Sequence, residues 1–172
     1  MERLAIWRFP PESAPLISLR VGNADLDRPY EGAFVGGIHH FALRVYFEDT
    51  DAAGIVYYAN YLRFIERARS DMLRALGIDQ RAAFEQGEGV YAVAKLSIKY
   101  RAPARLDDAL LILSELGEIR AAAVVIHQRV MRGDQILADA SVTAALLTRD
   151  GRPKRQPRGW VEAYERMKAK GD

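Results

Sequence analysis

The sequence predicts an α+β fold, with an antiparallel sheet of five strands packed on one long buried helix. Three observations carry this. Apolar residues alternate with period two over residues 39–47, they recur at helical spacing from Leu62 to Leu76, and four further strand-like runs follow. The tight connections between those later runs make their pairing antiparallel.

Each element can be read in order. Residues 1–37 mix Pro10, Pro11, Pro15 and Pro29 with glycines and scattered charges and hold no period, so they read as an extension outside the core. Within it, Leu16–Val21 is long enough for a strand or for packing on a partner. The folded domain is expected over 38–172. Phe41, Leu43, Val45 and Phe47 form one strand face, alternating with His40, Ala42, Arg44 and Tyr46. Leu62, Ile65, Ala68, Met72 and Leu76 then make a helical stripe, with Arg63, Arg67, Ser70 and Arg74 opposite and Gly77 as the stop. A linker around Gly87 and Gly89 leads to Val90–Tyr100, whose apolar face is Ala92, Ala94, Leu96, Ile98 and Tyr100. Ala109–Leu116 is a short continuous apolar run. Val124, Ile126 and Val130 alternate with His127 and Arg129, Arg132-Gly133-Asp134 turns the chain, and Ile136, Ala138, Ala140, Val142, Ala144 and Leu146 make a long period-two face. Trp160, Tyr164 and Met167 predict a short C-terminal helix. No internal repeat is visible. One helix covers only part of such a sheet, so a second copy of the chain is expected against it.

Composition narrows the function classes. The 172 residues, 49% of them hydrophobic, suffice for one domain with a real core. Basic and acidic residues nearly balance at 25 against 23, so no overall field favours nucleic acid; the basic stretch Arg149–Arg158 is the local exception. There is no cysteine, which removes disulfide frameworks, thiolate metal sites and cysteine nucleophiles together, and a reducing cytoplasm is the expected compartment. No apolar run approaches the roughly 20 residues of a membrane helix, and no targeting signal is read.

Chemistry is concentrated where the first strand runs into the helix. Asp49 and Asp51 lie there in a turn with Thr50, Ala52, Ala53 and Gly54. Unpaired N–H groups at a helix start can polarise a carbonyl oxygen, and a neighbouring carboxylate can attack it or activate water. Acids before a helix ordinarily serve as caps, so the pattern leaves both readings open for either aspartate.

The stretch Tyr46–Arg69, reading YFEDTDAAGIVYYANYLRFIERAR, closely resembles the signature of the 4-hydroxybenzoyl-CoA thioesterase-like branch of hotdog proteins, especially the Tol-Pal-associated acyl-CoA thioesterases. Tyr100–Asp108 resembles a second motif of that branch, and the likeness extends over roughly residues 41–157. The resemblance implies a hotdog fold, a five-stranded antiparallel sheet wrapped around a long central helix, and hydrolysis of acyl-CoA, or of acyl-carrier-protein thioesters, without a cofactor or metal. It implies Asp51 as the catalytic carboxylate, acting as nucleophile or general base, and demotes Asp49 to a turn-stabilising role. The backbone N–H of Tyr58 is implied to hold the thioester carbonyl. Many Tol-Pal-associated relatives have histidine at this position and the hydroxybenzoyl type has tyrosine, which leaves the acyl preference open. Arg120, Lys154 and Arg155 match basic positions used for the CoA nucleotide; read from the residues alone they are solvated turn positions. A homodimer or homotetramer is implied, and the Tol-Pal likeness implies a complex peripheral to the inner membrane.

Glu66 is the rival carboxylate, because other hotdog branches carry their catalytic acid on the central helix; beside Arg63, Arg67 and Arg69 it is expected to form a surface ion pair. His39, His40 and His127 lie on strand-like segments and are assigned no chemistry. The sequence holds no G-x-S-x-G elbow, phosphate-binding glycine–lysine loop or H-E-x-x-H helix. It also lacks the histidine-bearing active-site helix of acyl-thioester dehydratases. The competing class is a non-catalytic acyl-CoA-binding module or scaffold, against which the intact Asp51, Gly54 and Asn60 count.

Overall fold

A computed structural model describes residues 32–170. The expected segment Leu16–Val21 lies outside the described residues. The chain forms β1 (Ala33–Val35), β2 (Ile38–Arg44), a 3-10 turn (Phe47–Asp49), α1 (Asn60–Ala75), α2 (Gln80–Glu85), β3 (Val90–Tyr100), β4 (Ala109–Ile119), β5 (Ala123–Arg132), β6 (Gln135–Leu147) and α3 (Arg158–Lys168). One antiparallel sheet runs in the order β1-β2-β4-β5-β6-β3.

The sheet therefore has six strands where the sequence reading has five. The additional one, β1, belongs to the stretch read as extension, and its cause is local. Gly36 and Gly37 both take positive φ, 53° and 76°, between the paired residues Val35 and Ile38. Two central residues of positive φ define the hairpin turn whose twist matches that of the strands, and only glycine adopts it without strain.

The predicted stripe of α1 lies on β2, β4 and β5. Phe64, Ile65, Ala68 and Met72 are fully buried there against Leu110 and Ile112 of β4, Ile126 and Val130 of β5, and Val142 of β6. Phe47 departs from the predicted strand face: β2 ends at Arg44, and Phe47 opens the 3-10 turn, the residue 81% exposed. At the far end of the sheet Tyr164 of α3 is wholly buried, its hydroxyl 2.9 Å from that of Tyr91 on β3. Burial raises the Tyr91 phenol to about 12, which keeps this pair neutral.

Two register irregularities correct the predicted faces. Between β5 and β6, Val130 pairs with Ala138 and Met131 with Ile136, which leaves Leu137 as an extra residue. Leu137 is buried in place of the predicted Ile136, and its carbonyl accepts the N–H groups of Arg101 at 2.8 Å and Ala102 at 3.2 Å. On β3, Val93 pairs with Ala144 and Lys95 with Thr143, so Ala94 bulges out. Val93 rather than Ala92 then shares a face with Leu96, Ile98 and Tyr100. That face was expected to be covered, yet Val93, Leu96 and Tyr100 are exposed, because α1 packs against the other half of the sheet.

Two polar clusters sit inside the apolar layer. His39 and Asp71 are both buried with Nε2 3.0 Å from Oδ2, and the Gly32 N–H donates to the same oxygen at 2.7 Å. Gly32 has to be glycine there, since an added Cβ would lie 2.4 Å from the His40 carbonyl. Gln128, under α1, donates to the Ile65 carbonyl and to the Ser114 hydroxyl, each at 2.9 Å, and accepts from Arg69 at 3.2 Å. Among the described residues, no helix is long and apolar enough to cross a membrane.

Candidate active site

The loop between the 3-10 turn and α1 folds back on itself. The Asp51 N–H donates to the Ile55 carbonyl and the Gly54 N–H to the Asp51 carbonyl, both at 2.9 Å, while Thr50 bridges to Val56. Gly54 closes the turn at φ 72°. The Asp51 side chain is exposed, with Oδ1 accepting only the Ala53 N–H at 2.9 Å. Its second oxygen has no protein donor among the described residues, so the carboxylate is held at one end and open at the other.

Asp49 has the opposite environment. Its side chain is buried, 5% exposed, and Oδ2 accepts the Tyr46 N–H at 2.9 Å. Its carbonyl accepts the Tyr57 N–H at 2.9 Å and the buried Asn60 amide at 3.0 Å. Asp49 thus fastens both ends of the loop, the role expected of it, and Asn60 is the residue on the helix that completes the fastening.

Tyr58 lies just before α1, whose N-cap position is Ala59 with no side-chain cap. The Asn60 N–H donates to the Tyr57 carbonyl at 2.8 Å, whereas the N–H groups of Tyr58 and Ala59 have no acceptor among the described residues. These are free donors at the positive end of a long helix, on the same loop as Asp51.

Aromatic rings surround this point. Tyr57 and Tyr58 are 4.7 Å apart between centroids, and Tyr100 stands edge-on to both Tyr58 and Tyr61, at 6.4 Å and 5.4 Å. The Tyr100 hydroxyl donates to the Tyr58 carbonyl at 3.0 Å. Burial, with Tyr58 adding to it, raises the Tyr100 phenol above its ordinary value, so it remains a donor at neutral pH. Tyr61 is buried and accepts the Ala104 N–H at 2.8 Å, tying the second motif to the first. Tyr100 was read from the sequence as one more apolar strand residue, since period-two spacing reports a face and says nothing of what a hydroxyl reaches.

The three candidate CoA cations lie elsewhere in the same chain. The Arg120 carbonyl accepts the Gln156 amide at 2.7 Å, which places Arg120 beside the segment carrying Lys154 and Arg155. Lys154 donates to the Gly87 carbonyl at 2.8 Å, next to the Val90 end of β3. Asp51 and Tyr58 are at the Tyr100 end. The 11 residues of β3 separate the two groups by about 35 Å at roughly 3.3 Å per residue. Arg120 is paired with Glu118 at 2.6 Å, and Arg155 is exposed with no acid partner among the described residues.

Glu66 is exposed and accepts the Ser70 hydroxyl at 2.7 Å rather than forming the expected ion pair with an arginine. It is one helical turn and more from the loop. Among the described residues no three histidine or acidic side chains converge as metal ligands would.

Residues 45–163 match the model of the thioesterase-like superfamily. The acyl-CoA thioesterase YbgC of Haemophilus influenzae is 43% identical over 61% of this chain and 77% of its own length. A probable thioesterase from Bartonella henselae superposes with a TM-score of 0.67 at 35% identity, covering 70% of this chain and 99% of that one. A 4-hydroxybenzoyl-CoA thioesterase variant complexed with 4-hydroxybenzoyl-CoA shares the fold, with a TM-score of 0.66 at 24% identity, covering 73% of this chain and 97% of its own.

Proposed function

The chain belongs to the thioesterase-like superfamily, and on that footing we propose that it hydrolyses acyl-CoA to free acid and CoA, with Asp51 as the reacting carboxylate. One observation carries the assignment: an exposed, half-satisfied carboxylate shares a fastened loop with the free N–H groups at the start of α1. The thioester carbonyl accepts from the Tyr58 N–H, which stabilises the oxygen as charge develops on it. Asp51 acts on the carbonyl carbon as nucleophile, through a mixed anhydride, or as general base toward water. The buried Asp49 is committed to backbone bonds, and Glu66 is remote from the free donors.

The working unit is a dimer, or a larger assembly built from it. An edge strand as long as β3, with Val93, Leu96 and Tyr100 uncovered, needs a cover to avoid aggregation. Antiparallel pairing of two β3 edges about a two-fold axis brings the Tyr100 end of one copy to the Val90 end of the other. Asp51 and Tyr58 of one protomer then face the Arg120, Lys154 and Arg155 side of its partner. The separation within one chain thereby becomes a single site between two. The uncovered apolar face of β3 is where the acyl group lies, and the cations receive the CoA nucleotide phosphates.

Thiol release measured across acetyl-, butyryl-, decanoyl-, benzoyl- and 4-hydroxybenzoyl-CoA, with the matching acyl-carrier-protein thioesters, tests this reading. Saturable binding without thiol release from any of them would identify a binding module instead. A single turnover in 18O-water followed by mass analysis bears on the two routes: label in Asp51 with unlabelled acid identifies an anhydride opened by water at the aspartyl carbonyl, whereas general-base hydrolysis, like water attack on the acyl carbonyl of an anhydride, places the label in the acid.

A further inference from the structure

The two peptides around Tyr58 are held in the same manner. A trans peptide is planar, with its C=O and N–H pointing in opposite directions. The Tyr57 carbonyl is fixed by the Asn60 N–H at 2.8 Å, so the Tyr58 N–H of that peptide points away from Asn60 and is free. In the next peptide the Tyr58 carbonyl is fixed by the Tyr100 hydroxyl at 3.0 Å, and the Ala59 N–H of that peptide is free as well. The Leu62 N–H, which would reach the Tyr58 carbonyl in a regular helix, donates to Ala59 at 3.1 Å instead. The phenol is therefore the partner of that carbonyl among the described residues. It comes from β3, a different element from the loop and the helix, and its ring is braced edge-on against Tyr58 and Tyr61.

We propose that Tyr100 is a positioning residue for thioester hydrolysis: by holding the Tyr58 carbonyl it aims the Ala59 N–H beside the Tyr58 N–H, making a two-donor cradle for the thioester oxygen. This rests on the reading of the Tyr58 N–H as the group that meets the carbonyl. Tyr100 acts through the backbone and gives up no proton, so its effect falls on the stabilisation of the developing oxyanion and not on the affinity for acyl-CoA.

Tyr100→Phe removes the hydroxyl and keeps the ring contacts. With the acyl-CoA that the wild type hydrolyses fastest in the panel, kcat falls about tenfold, KM stays within twofold, and the melting temperature is nearly unchanged. The decisive readout is the infrared stretch of that acyl-CoA labelled with 13C at its thioester carbonyl, bound to the inert Asp51→Asn protein. The bound carbonyl absorbs at lower frequency than in solution, and Asp51→Asn/Tyr100→Phe loses part of that shift. If Asp51→Asn turns over substrate, or its bound carbonyl is unshifted, the underlying reading of the site fails. A shift in Asp51→Asn that persists in full in the double variant overturns the role of Tyr100 alone. So does a Tyr100→Phe enzyme with wild-type kcat, or one in which KM rises and kcat does not change, which would make Tyr100 a wall of the acyl pocket.

Discussion

The two aspartates of the loop make opposite predictions, and their environments set the magnitudes. In Asp51→Asn the amide oxygen still accepts the Ala53 N–H that Oδ1 accepts at 2.9 Å, and the side chain is exposed. Stability is therefore expected within about 0.5 kcal/mol of wild type. The charge and its lone pair are gone, and the loss of a general base alone costs roughly 100- to 10,000-fold in kcat, about 3–5.5 kcal/mol of barrier. Asp49→Ala instead deletes a buried carboxylate that accepts the Tyr46 N–H at 2.9 Å. A bond to a charged acceptor contributes about 1.5–3 kcal/mol, which at roughly 2–4 °C per kcal/mol lowers the melting temperature by about 3–12 °C. Its folded fraction should lose less than tenfold in kcat. Calorimetry and thiol release on the same preparations give both quantities. Wild-type turnover in Asp51→Asn, or an Asp49→Ala protein that is inert and as stable as wild type, would refute the division of labour.

Other perturbations test the remaining parts. Burial holds His39 below its ordinary pKa, outweighing the pull of Asp71 upward; its Nδ1 has no partner among the described residues, so a second proton there would be buried and unsatisfied. The unfolded state thus binds the extra proton more readily, and stability is full above about pH 6.5 and declines as pH falls below it; urea midpoints of His39→Gln should fall less over that window than those of wild type. Arg155→Ala should raise KM for acyl-CoA about two- to fivefold, as expected for an exposed ion pair, and leave KM for the corresponding acyl-pantetheine unchanged; equal effects on both would remove Arg155 from the nucleotide site. Leu96→Lys places a charge on the uncovered face of β3, so light scattering should show monomers and turnover should fall more than tenfold, whereas a dimer of unchanged mass and activity would exclude that face from the interface.

Much of the fold was legible because period and composition report burial directly. The stripe of α1 and the faces of β5 and β6 follow from the spacing of Leu62, Ile65, Ala68 and Met72 and of Val124, Ile126 and Val130. What escaped was set by a single residue or by pairing. Gly36-Gly37 is a hairpin signal, but the strands it joins are short and one of them lies beside an irregular stretch. The helix α2 has only six residues, and its marker is Asp79 accepting the N–H groups of Arg81 and Ala82. The bulges at Ala94 and Leu137 depend on which residue faces which across two strands, a quantity no single strand contains.

The site was legible to the same depth and for the same reason. A continuous motif marks the loop, so the proposal of Asp51 and Tyr58 and the demotion of Asp49 come from reading along the chain, and the hydrogen bonds of Asp49 fit its turn role. Distances across the chain could not. Asp71 was an unremarked acid on the helix until its contact with His39 placed it in the core, and Tyr100 was an apolar strand residue until its hydroxyl reached Tyr58. The cations show the limit most clearly. Arg120, Lys154 and Arg155 carry charge suited to phosphate, yet they sit at the opposite end of β3 from the carboxylate they are proposed to serve. A residue pattern gives the chemistry of each proposed half-site, whereas their proposed union is a matter of symmetry. If two β3 edges pair, both problems have one solution: the exposed apolar strand is covered and the charged end of one chain meets the reacting end of the other. Mixing Asp51→Asn protein with Arg120→Ala/Arg155→Ala protein tests this, because a mixed dimer would contain one site intact in both halves. At acyl-CoA well below KM, where the arginine variant is slow and Asp51→Asn is inert, the mixed dimer is expected to approach half the wild-type rate, and a mixture no faster than the average of its parents after verified subunit exchange would place carboxylate and cations in the service of separate sites.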